Sequence, residues 1–124
     1  MLDARKTFGN GGEARAARYL AGKGFAVREA QKRTAFGEID LVCEDRGVLV
    51  FVEVKTRRGN RFGTPEAAIT RGKFQHMAAC AEAYVLAAGT PDRPWRLDVV
   101  AVSWPGGSAP SFRHYAGIDG PAAF

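Results

Sequence analysis

Three residues near the middle of the chain, Asp40, Glu53 and Lys55, combine two carboxylates with an amine. Carboxylate oxygens suit a hard divalent cation such as Mg²⁺ or Mn²⁺, which keeps several waters and contacts a phosphate. Such an ion acidifies a bound water and offsets charge on the phosphorus oxygens, while a lysine orients the nucleophile or stabilises the transition state. These residue types fit metal-dependent phosphodiester cleavage, with the Val54 carbonyl as a further candidate ligand.

The segments that carry these residues have the pattern of a β-hairpin. Apolar residues alternate from Ile39 to Cys43, turn residues follow at 44–47, and 48–55 is rich in β-branched and aromatic residues. The second strand is apolar on both faces, which is typical of a strand in the middle of a sheet. An ionised Glu53 and Lys55 are costly there unless they are paired or bound to something.

The hairpin predicts which side chains share a face. A loop of two residues (45–46) or four residues (44–47) gives paired positions that sum to 91, so Asp40 is expected opposite Phe51 and Glu38 opposite Glu53. Asp40, Glu53 and Lys55 then project from one face, with Asp40 and Glu53 as diagonal neighbours about 7–8 Å apart at the backbone. A loop of odd length would contradict this arrangement.

The remaining elements are predicted from caps, glycines and hydrophobic periodicity. Asn10 and Glu13 indicate a helix start and Gly24 its end. Thr64 and Pro65 open a second helix, which Gly72 could kink. In chain order we expect a helix at about 11–23, a strand at 25–28, a loop at 31–37, the hairpin, a loop at 57–63, a helix at 64–88, a strand at 95–103, a turn at 105–108 and an edge strand at 111–115. This αβββαββ order predicts one α/β domain over 1–124, a mixed sheet flanked by two helices.

The sequence around these residues resembles the PD-(D/E)XK nuclease superfamily. GEIDL at 37–41, the hairpin and VFVEVKTR at 50–57 carry the resemblance. The fuller pattern, which adds Gly12 and Glu13, Phe62 and Gly63, Lys73 and RLDVV at 96–100, is similar to the bacterial YraN-like family within that superfamily. The resemblance covers about 9–103 and leaves 104–124 as a C-terminal strand and tail.

The resemblance implies a restriction-endonuclease-like αβββαβ core and a set of site residues. It implies metal ligation by Asp40 and Glu53 and a catalytic role for Lys55. Glu13 corresponds to the first-helix glutamate of the Holliday-junction resolvase branch, and is therefore a further catalytic and ligand candidate. Ile39 replaces the proline that names the superfamily, which is not a ligand.

Each of these residues also has a structural interpretation. The Asp40, Glu53 and Lys55 group could be an ion-pair cluster at a sheet end. Glu13 could complete a capping box with Asn10, although its spacing also places it on the inward stripe of the helix. Lys73 either leans toward the site or extends from an apolar face into solvent.

The excess of basic residues lies beside the proposed chemistry. The chain has 18 Lys and Arg against 13 Asp and Glu, a net charge of +5, and residues 54–73 alone carry six basic residues and one acidic residue. Arg57, Arg58 and Arg61 form either a solvated loop or a flexible clamp on phosphates. Arg15 and Arg33 would extend a nucleic-acid surface, and Phe62 either stacks on a base or anchors the loop.

The remaining polar candidates carry less chemistry. Asp98 is expected to have a structural role or to pair with a neighbouring basic residue, and His76 and His114, which have no partner at catalytic or ligand spacing, are expected to be ordinary surface or core histidines. Cys43 and Cys80 lack the spacing of a zinc site or a disulfide framework. With no apolar targeting segment at the N-terminus and no span long enough for a bilayer, a reducing cytoplasm is expected.

Together these patterns predict a Mg²⁺- or Mn²⁺-dependent nuclease that acts on DNA rather than RNA, branched and single-stranded forms included, through a metal-activated water. Two alternatives stay open: a nucleic-acid-binding module that cleaves little or not at all, and a protein-interaction domain. A junction-cutting role would predict a homodimer, because two symmetric nicks need two sites.

Overall fold

The computed structural model describes residues 11–58, 64–104 and 109–119, with the Arg58 side chain outside the description. The elements, numbered here in chain order, are α1 (Gly12–Gly22), β1 (Ala26–Thr34), β2 (Gly37–Asp45), β3 (Val48–Arg58), a 3₁₀ helix (Pro65–Ala68), α2 (Arg71–Ala87), β4 (Trp95–Trp104) and β5 (Ser111–Tyr115).

The strands form one sheet in the order β1, β2, β3, β4, β5. Neighbouring strands are antiparallel except β3 and β4, which are parallel. A parallel pair needs a long crossover, and the 3₁₀ helix and α2 supply it. The predicted mixed sheet flanked by two helices is confirmed, and the α/β arrangement is consistent with a restriction-endonuclease-like core.

The core has two layers, one on each face of the sheet. Val50, Val52 and Val54 of β3 pack with α1, whereas Leu49 and Phe51 pack with α2. The central strand is therefore buried on both faces, as its apolar pattern predicted. Its polar residues lie toward the C-terminal end, where the side chains approach the edge of the core.

The turn between β2 and β3 corrects the predicted register. Asp45 pairs with Val48, so the two loop residues are Arg46 and Gly47, and paired positions sum to 93. Both loop residues have positive φ, 53° and 85°, which is the type I′ requirement that a glycine meets at low cost. The sum keeps its parity, and Asp40 therefore keeps its predicted face. Its position, however, is shifted by two residues along β3.

The predicted loop at 31–37 is wrong over most of its length. β1 continues to Thr34 and forms a hairpin with β2, in which Thr34 pairs with Gly37. The Thr34 hydroxyl closes the tip, since it accepts from the Phe36 amide at 3.2 Å and donates to the Gly37 carbonyl at 2.8 Å. β1 is an edge strand and this part of it is rich in polar residues, so the segment has the composition of a loop.

The predicted long helix over 64–88 is two elements. The 3₁₀ turn ends before Ile69, which has extended geometry, and α2 begins after Thr70, whose hydroxyl accepts from the Lys73 amide at 3.1 Å. A new N-cap, and not a kink at Gly72, separates them. α1 is confirmed within a residue of its predicted ends, with Gly11 as its N-cap.

Other sequence predictions lie partly beyond the described residues. Of the loop at 57–63, residues 57 and 58 belong to β3, and 59–63 lie outside the description together with Asn10 and the turn at 105–108. No helix within 11–58, 64–104 or 109–119 is long and apolar enough to cross a bilayer.

A buried polar network on the α1 face contains Asp98 and His114, which is a core histidine. Asp98 is completely buried and accepts hydrogen bonds from His114 at 2.7 Å, Arg96 at 3.0 Å and the Gly117 amide at 2.9 Å. Burial raises the pKa of Asp98, but these hydrogen bonds outweigh burial and hold it below its usual value. Asp98 therefore ties β4 to β5, as its expected pairing role implied.

Candidate active site

The amino end of α1 lies against β3 because residue 12 is glycine. A β-carbon on Gly12 would fall 1.9 Å from the Thr56 hydroxyl oxygen, so any larger residue would push the helix away. This close approach brings Glu13, the next residue, to the strand that carries Glu53 and Lys55.

Asp40 is held by the backbone of the neighbouring strand. The last regular pair of the β2–β3 ladder is Leu41 with Val52, and the same register places Asp40 opposite Glu53. The Val54 amide donates to Asp40 Oδ2 at 2.8 Å. The two carboxylates are therefore closer in register than the diagonal pair that the sequence predicted.

Burial and charge raise the pKa of Asp40 to about 7. Burial is the main cause, and the negative charge of Glu53 adds to it. The Val54 hydrogen bond and the positive charge of Lys73 act in the opposite direction. In these surroundings, a cation that approaches the carboxyl group stabilises its ionised form.

Glu53 is a buried carboxylate with two cationic neighbours. Its residue is 6% exposed. The same oxygen, Oε2, lies 3.2 Å from Lys73 Nζ and 3.4 Å from Lys55 Nζ. Lys73 thus leans toward the site, the functional alternative of the two that its sequence position left open.

Glu13 contacts β1, whereas the capping box with Asn10 that its sequence position left open lies outside the described residues. Its carboxylate accepts a hydrogen bond from Gln31 Nε2 at 3.3 Å, and the N-cap residue Gly11 makes no side-chain capping bond. Burial raises the pKa of Glu13, the Gln31 bond lowers it, and the charges of Glu38 and Glu53 raise it further. The charges of Glu38 and Glu53 therefore act on Glu13, and those of Glu13 and Glu53 act on Asp40.

Gln31 is a site neighbour that the sequence did not reveal. It lies on β1 with a φ of 50°, an unusual left-handed value for a residue with a side chain. The β1–β2 register would place it opposite Asp40, but the regular pairs run from Ala30 to Lys32 without it. Nothing in the local sequence distinguished this glutamine from a loop residue.

A small cavity opens between the carboxylates and α2. Its volume of about 10 Å³ is room for roughly one water molecule. Asp40 and Glu53 line it together with Glu38 from β2 and Met77 and Cys80 from α2. Glu38 is at once an exposed strand residue and part of the site wall.

The donor set fits a hard divalent cation that keeps most of its waters. Within the described parts of the chain, no three His, Cys, Asp or Glu side chains are grouped closely enough to hold an ion between them. Mg²⁺ commonly takes only one or two carboxylates and completes its shell with water and substrate oxygens. Asp40 and Glu53 match that number of carboxylates, the Val54 amide donates to Asp40, and Glu13 is close enough for its charge to raise the pKa of Asp40.

The basic residues predicted to bind nucleic acid divide into separate groups. Arg57 is half-buried on β3, and within the described structure its Nε atom has no hydrogen-bond partner. Arg33 is exposed on β1 and pairs in register with Glu38. Arg15 lies with its guanidinium 4.4 Å from the centre of the Trp104 ring. The Arg58 side chain and Arg61 lie outside the described residues.

Comparison with known proteins places these elements in a family. Residues 12–102 match the model of "Uncharacterised protein family UPF0102", a range that includes α1, the hairpin, α2 and most of β4. A UPF0102 protein of Symbiobacterium thermophilum is 47% identical over 94 residues, covering 76% of this chain and 80% of that protein. Another, from Anaeromyxobacter dehalogenans, is 41% identical over 122 residues, covering 98% and 87%.

Proposed function

The chain belongs to the UPF0102 family, and we propose that it is a Mg²⁺- or Mn²⁺-dependent nuclease that hydrolyses phosphodiester bonds in DNA. The observation that carries the proposal is the carboxylate pair on one face of the β2–β3 hairpin. Asp40 and Glu53 share a small cavity, and two lysine amines lie within 3.4 Å of one Glu53 oxygen.

Asp40 and Glu53 are the residues that would hold the cation, with the Val54 carbonyl and Glu13 as additional oxygen donors. The ion would supply acidification of water and neutralisation of charge on the scissile phosphate. The Val54 amide fixes Asp40 on the hairpin, and burial of Glu53 limits the freedom of the second carboxylate. The chain therefore contributes two carboxylates whose positions are restricted before a cation binds.

Lys55 and Lys73 pair with Glu53 in this structure, and they take a second role when a cation also binds the Glu53 carboxylate. Each side chain is about one third exposed, 28% for Lys55 and 30% for Lys73, so each amine can turn from Glu53 toward an oxygen at the open side of the cavity. An amine at that position stabilises negative charge that builds on the phosphate. Lys55 is the catalytic lysine of this proposal, and Lys73 binds phosphate.

The arginines supply affinity for the DNA backbone. Arg57 and Arg58 end the strand that carries Glu53, and Arg61 follows them in sequence. Arg33 lies at the other side of the carboxylates, across β2. Arg15 is held over Trp104, which packs on the α1 face of the sheet, so it would contact DNA apart from the carboxylates. Phosphate contacts of this kind fix the position of a protein on nucleic acid but do not distinguish one base sequence from another.

Cleavage assays with purified protein test the proposal. Linear, single-stranded, flapped and four-way DNA are incubated with EDTA, Mg²⁺ or Mn²⁺, and wild type is compared with Asp40→Asn and Lys55→Ala. Asp92→Asn and Arg46→Ala are matched controls, since both residues are exposed and lie away from the cavity. We expect metal-dependent cleavage that both site variants lose and both controls keep. Cleavage that survives EDTA or both site variants would refute the proposal.

A nucleic-acid-binding module without cleavage is the second candidate. The observation in its favour is that Glu53 is already neutralised by Lys55 and Lys73, so the carboxylate is satisfied as a structural group. This candidate predicts DNA binding that does not depend on Mg²⁺ or Mn²⁺ and no product on any DNA geometry.

A further inference from the structure

The tip of the β1–β2 hairpin presents an aromatic ring to solvent. Phe36 is 61% exposed, and within the described chain Leu86 is the other large hydrophobic side chain with comparable exposure. An exposed phenylalanine has an open ring face, on which a nucleobase can stack.

Three hydrogen bonds hold this tip in place. Thr34 bridges the Phe36 amide and the Gly37 carbonyl, and His76 of α2 donates from Nε2 to the Phe36 carbonyl at 2.7 Å. Gly37 permits the His76 contact, since a β-carbon there would lie 2.3 Å from Nε2 and the φ of 138° disfavours other residues. The ring is therefore mounted on a braced turn, and its stacking surface is preorganised.

A groove with basic residues adjoins the tip. It has a volume of about 400 Å³, within the range of small-molecule sites. Lys32, Arg33 and Thr34 line it from β1, and Tyr84 and Ala87 line it from α2. Its acidic residue, Glu29, is engaged by the Tyr84 hydroxyl at 2.6 Å and by Lys32 at 3.6 Å, so Arg33 remains to attract an anion.

The groove continues the surface that begins at the carboxylates. Met77 and Cys80 of α2 line the carboxylate cavity, and Tyr84 and Ala87, the next residues on that side of the helix, line the groove. On the sheet, Glu38, which lines the cavity, pairs in register with Arg33, which lines the groove. The two neighbouring strands lie about 5 Å apart. One strand of nucleic acid at the carboxylates would reach Phe36 and Arg33 next.

We propose that the Phe36 tip and the Arg33 groove bind a single-stranded segment of DNA, with an unpaired base stacked on Phe36 and a neighbouring phosphate on Arg33. Only the biological role of this binding site rests on the proposed nuclease function, since that role would be to direct unpaired strands to Asp40 and Glu53. The charge of Arg33 matches a phosphate, and the apolar ring matches a base.

Fluorescence anisotropy in EDTA tests binding apart from cleavage. The probes are a fluorescein-labelled oligothymidylate, an oligomer of the same length built of abasic sites, and a blunt duplex. We expect Phe36→Ala to weaken oligothymidylate binding roughly 5- to 100-fold, the effect of one lost stacking contact, and to leave abasic binding unchanged. Phe36→Trp should restore binding, and Leu86→Ala, an equally exposed control, should have no effect.

Arg33→Gln tests the phosphate contact. It should weaken binding of both single-stranded probes and reduce the slope of log affinity against log salt by about 0.7. Arg46→Gln, the same charge change in the turn after β2, is the control, since Arg46 is 94% exposed and forms an ion pair with its neighbour Asp45. Circular dichroism melting checks that each variant is folded.

The outcomes separate this site from the nuclease proposal. Equal binding of oligothymidylate by wild type and Phe36→Ala, or an equal loss on the abasic probe, overturns the site even if Asp40→Asn abolishes cleavage. Conversely, a Phe36-dependent preference for unpaired bases in a protein that never cleaves DNA supports the site and refutes the nuclease function.

Discussion

Lys73 Nζ lies 3.2 Å from Glu53 Oε2, although the two residues belong to elements on different layers, α2 and β3. Lys55 from β3 itself approaches the same oxygen. A buried carboxylate therefore receives one amine from its own strand and one from the helix above it. A divalent cation that binds Glu53 must compete with both amines for that oxygen.

Lys73→Gln should strengthen Mn²⁺ binding and weaken cleavage. Loss of one competing charge is worth up to roughly 1 kcal/mol, which corresponds to about a 2- to 5-fold lower dissociation constant. Titration calorimetry of Mn²⁺ with wild type and variant measures this. Arg71→Gln, an exposed charge change two residues earlier on α2, should leave the affinity unchanged. Weaker Mn²⁺ binding by Lys73→Gln would contradict the competition.

The shared face of Asp40, Glu53 and Lys55 was predictable because strand side chains alternate and only the parity of the register matters. The exact register was not, since it depended on which residues of the turn could adopt positive φ. Gly47 decides it, because the turn places residues 46 and 47 in that region. A two-residue shift leaves faces unchanged and alters only distances along the strand.

The contacts of Glu13 and Glu66 could not be predicted, because their partners are distant in sequence. Glu66 has the position of an N-terminal helix acid, yet it is buried and bonded to Arg113 and Tyr115 of β5. Similarly, nothing near Glu13 indicates the partner Gln31. Local patterns predict faces and caps, whereas pairing across the sheet is decided by how the elements pack.

Gly12→Ala should destabilise the fold by about 1–3 kcal/mol through overpacking against Thr56. Its β-carbon would fall 1.9 Å from the Thr56 hydroxyl oxygen. Gly22→Ala, in the same helix with nothing within 4 Å of the added carbon, is the control and should stabilise the fold by about 0.5–1 kcal/mol. Urea denaturation followed by circular dichroism measures both. Equal effects of the two substitutions would show that helix propensity, and not the contact with β3, matters at residue 12.

Gln31→Gly should stabilise the protein and impair the site at once. Removal of a side chain at a φ of 50° relieves roughly 1 kcal/mol of strain, but the hydrogen bond to Glu13 is lost. Gln31→Asn is the comparison, since asparagine tolerates this conformation and keeps an amide. Thermal melting reports stability, and Mn²⁺ affinity reports the site. If Gln31→Gly lowers the melting temperature, the left-handed conformation is not the source of strain.

Acid should weaken the fold through Glu66. Two hydrogen bonds from Arg113, at 2.6 and 2.8 Å, are the main cause that lowers the pKa of Glu66 from 4.5 to about 2. Because the folded-state pKa is the lower one, this stabilisation is fully present above pH 4.5 and is lost as the pH falls toward 2. Its size is up to roughly 3 kcal/mol, reduced by solvent around Arg113.

The free energy of unfolding of wild type and Glu66→Gln, measured in urea at neutral and acidic pH, checks this dependence. The difference between the two proteins should be largest near neutrality and should shrink as the pH falls below 4.5, because protonation removes the charge that the variant already lacks. Glu82→Gln, an exposed glutamate on α2, is the control and should follow wild type at every pH. A constant difference between wild type and Glu66→Gln from neutral pH into acid would exclude the ion pair as the source of acid sensitivity.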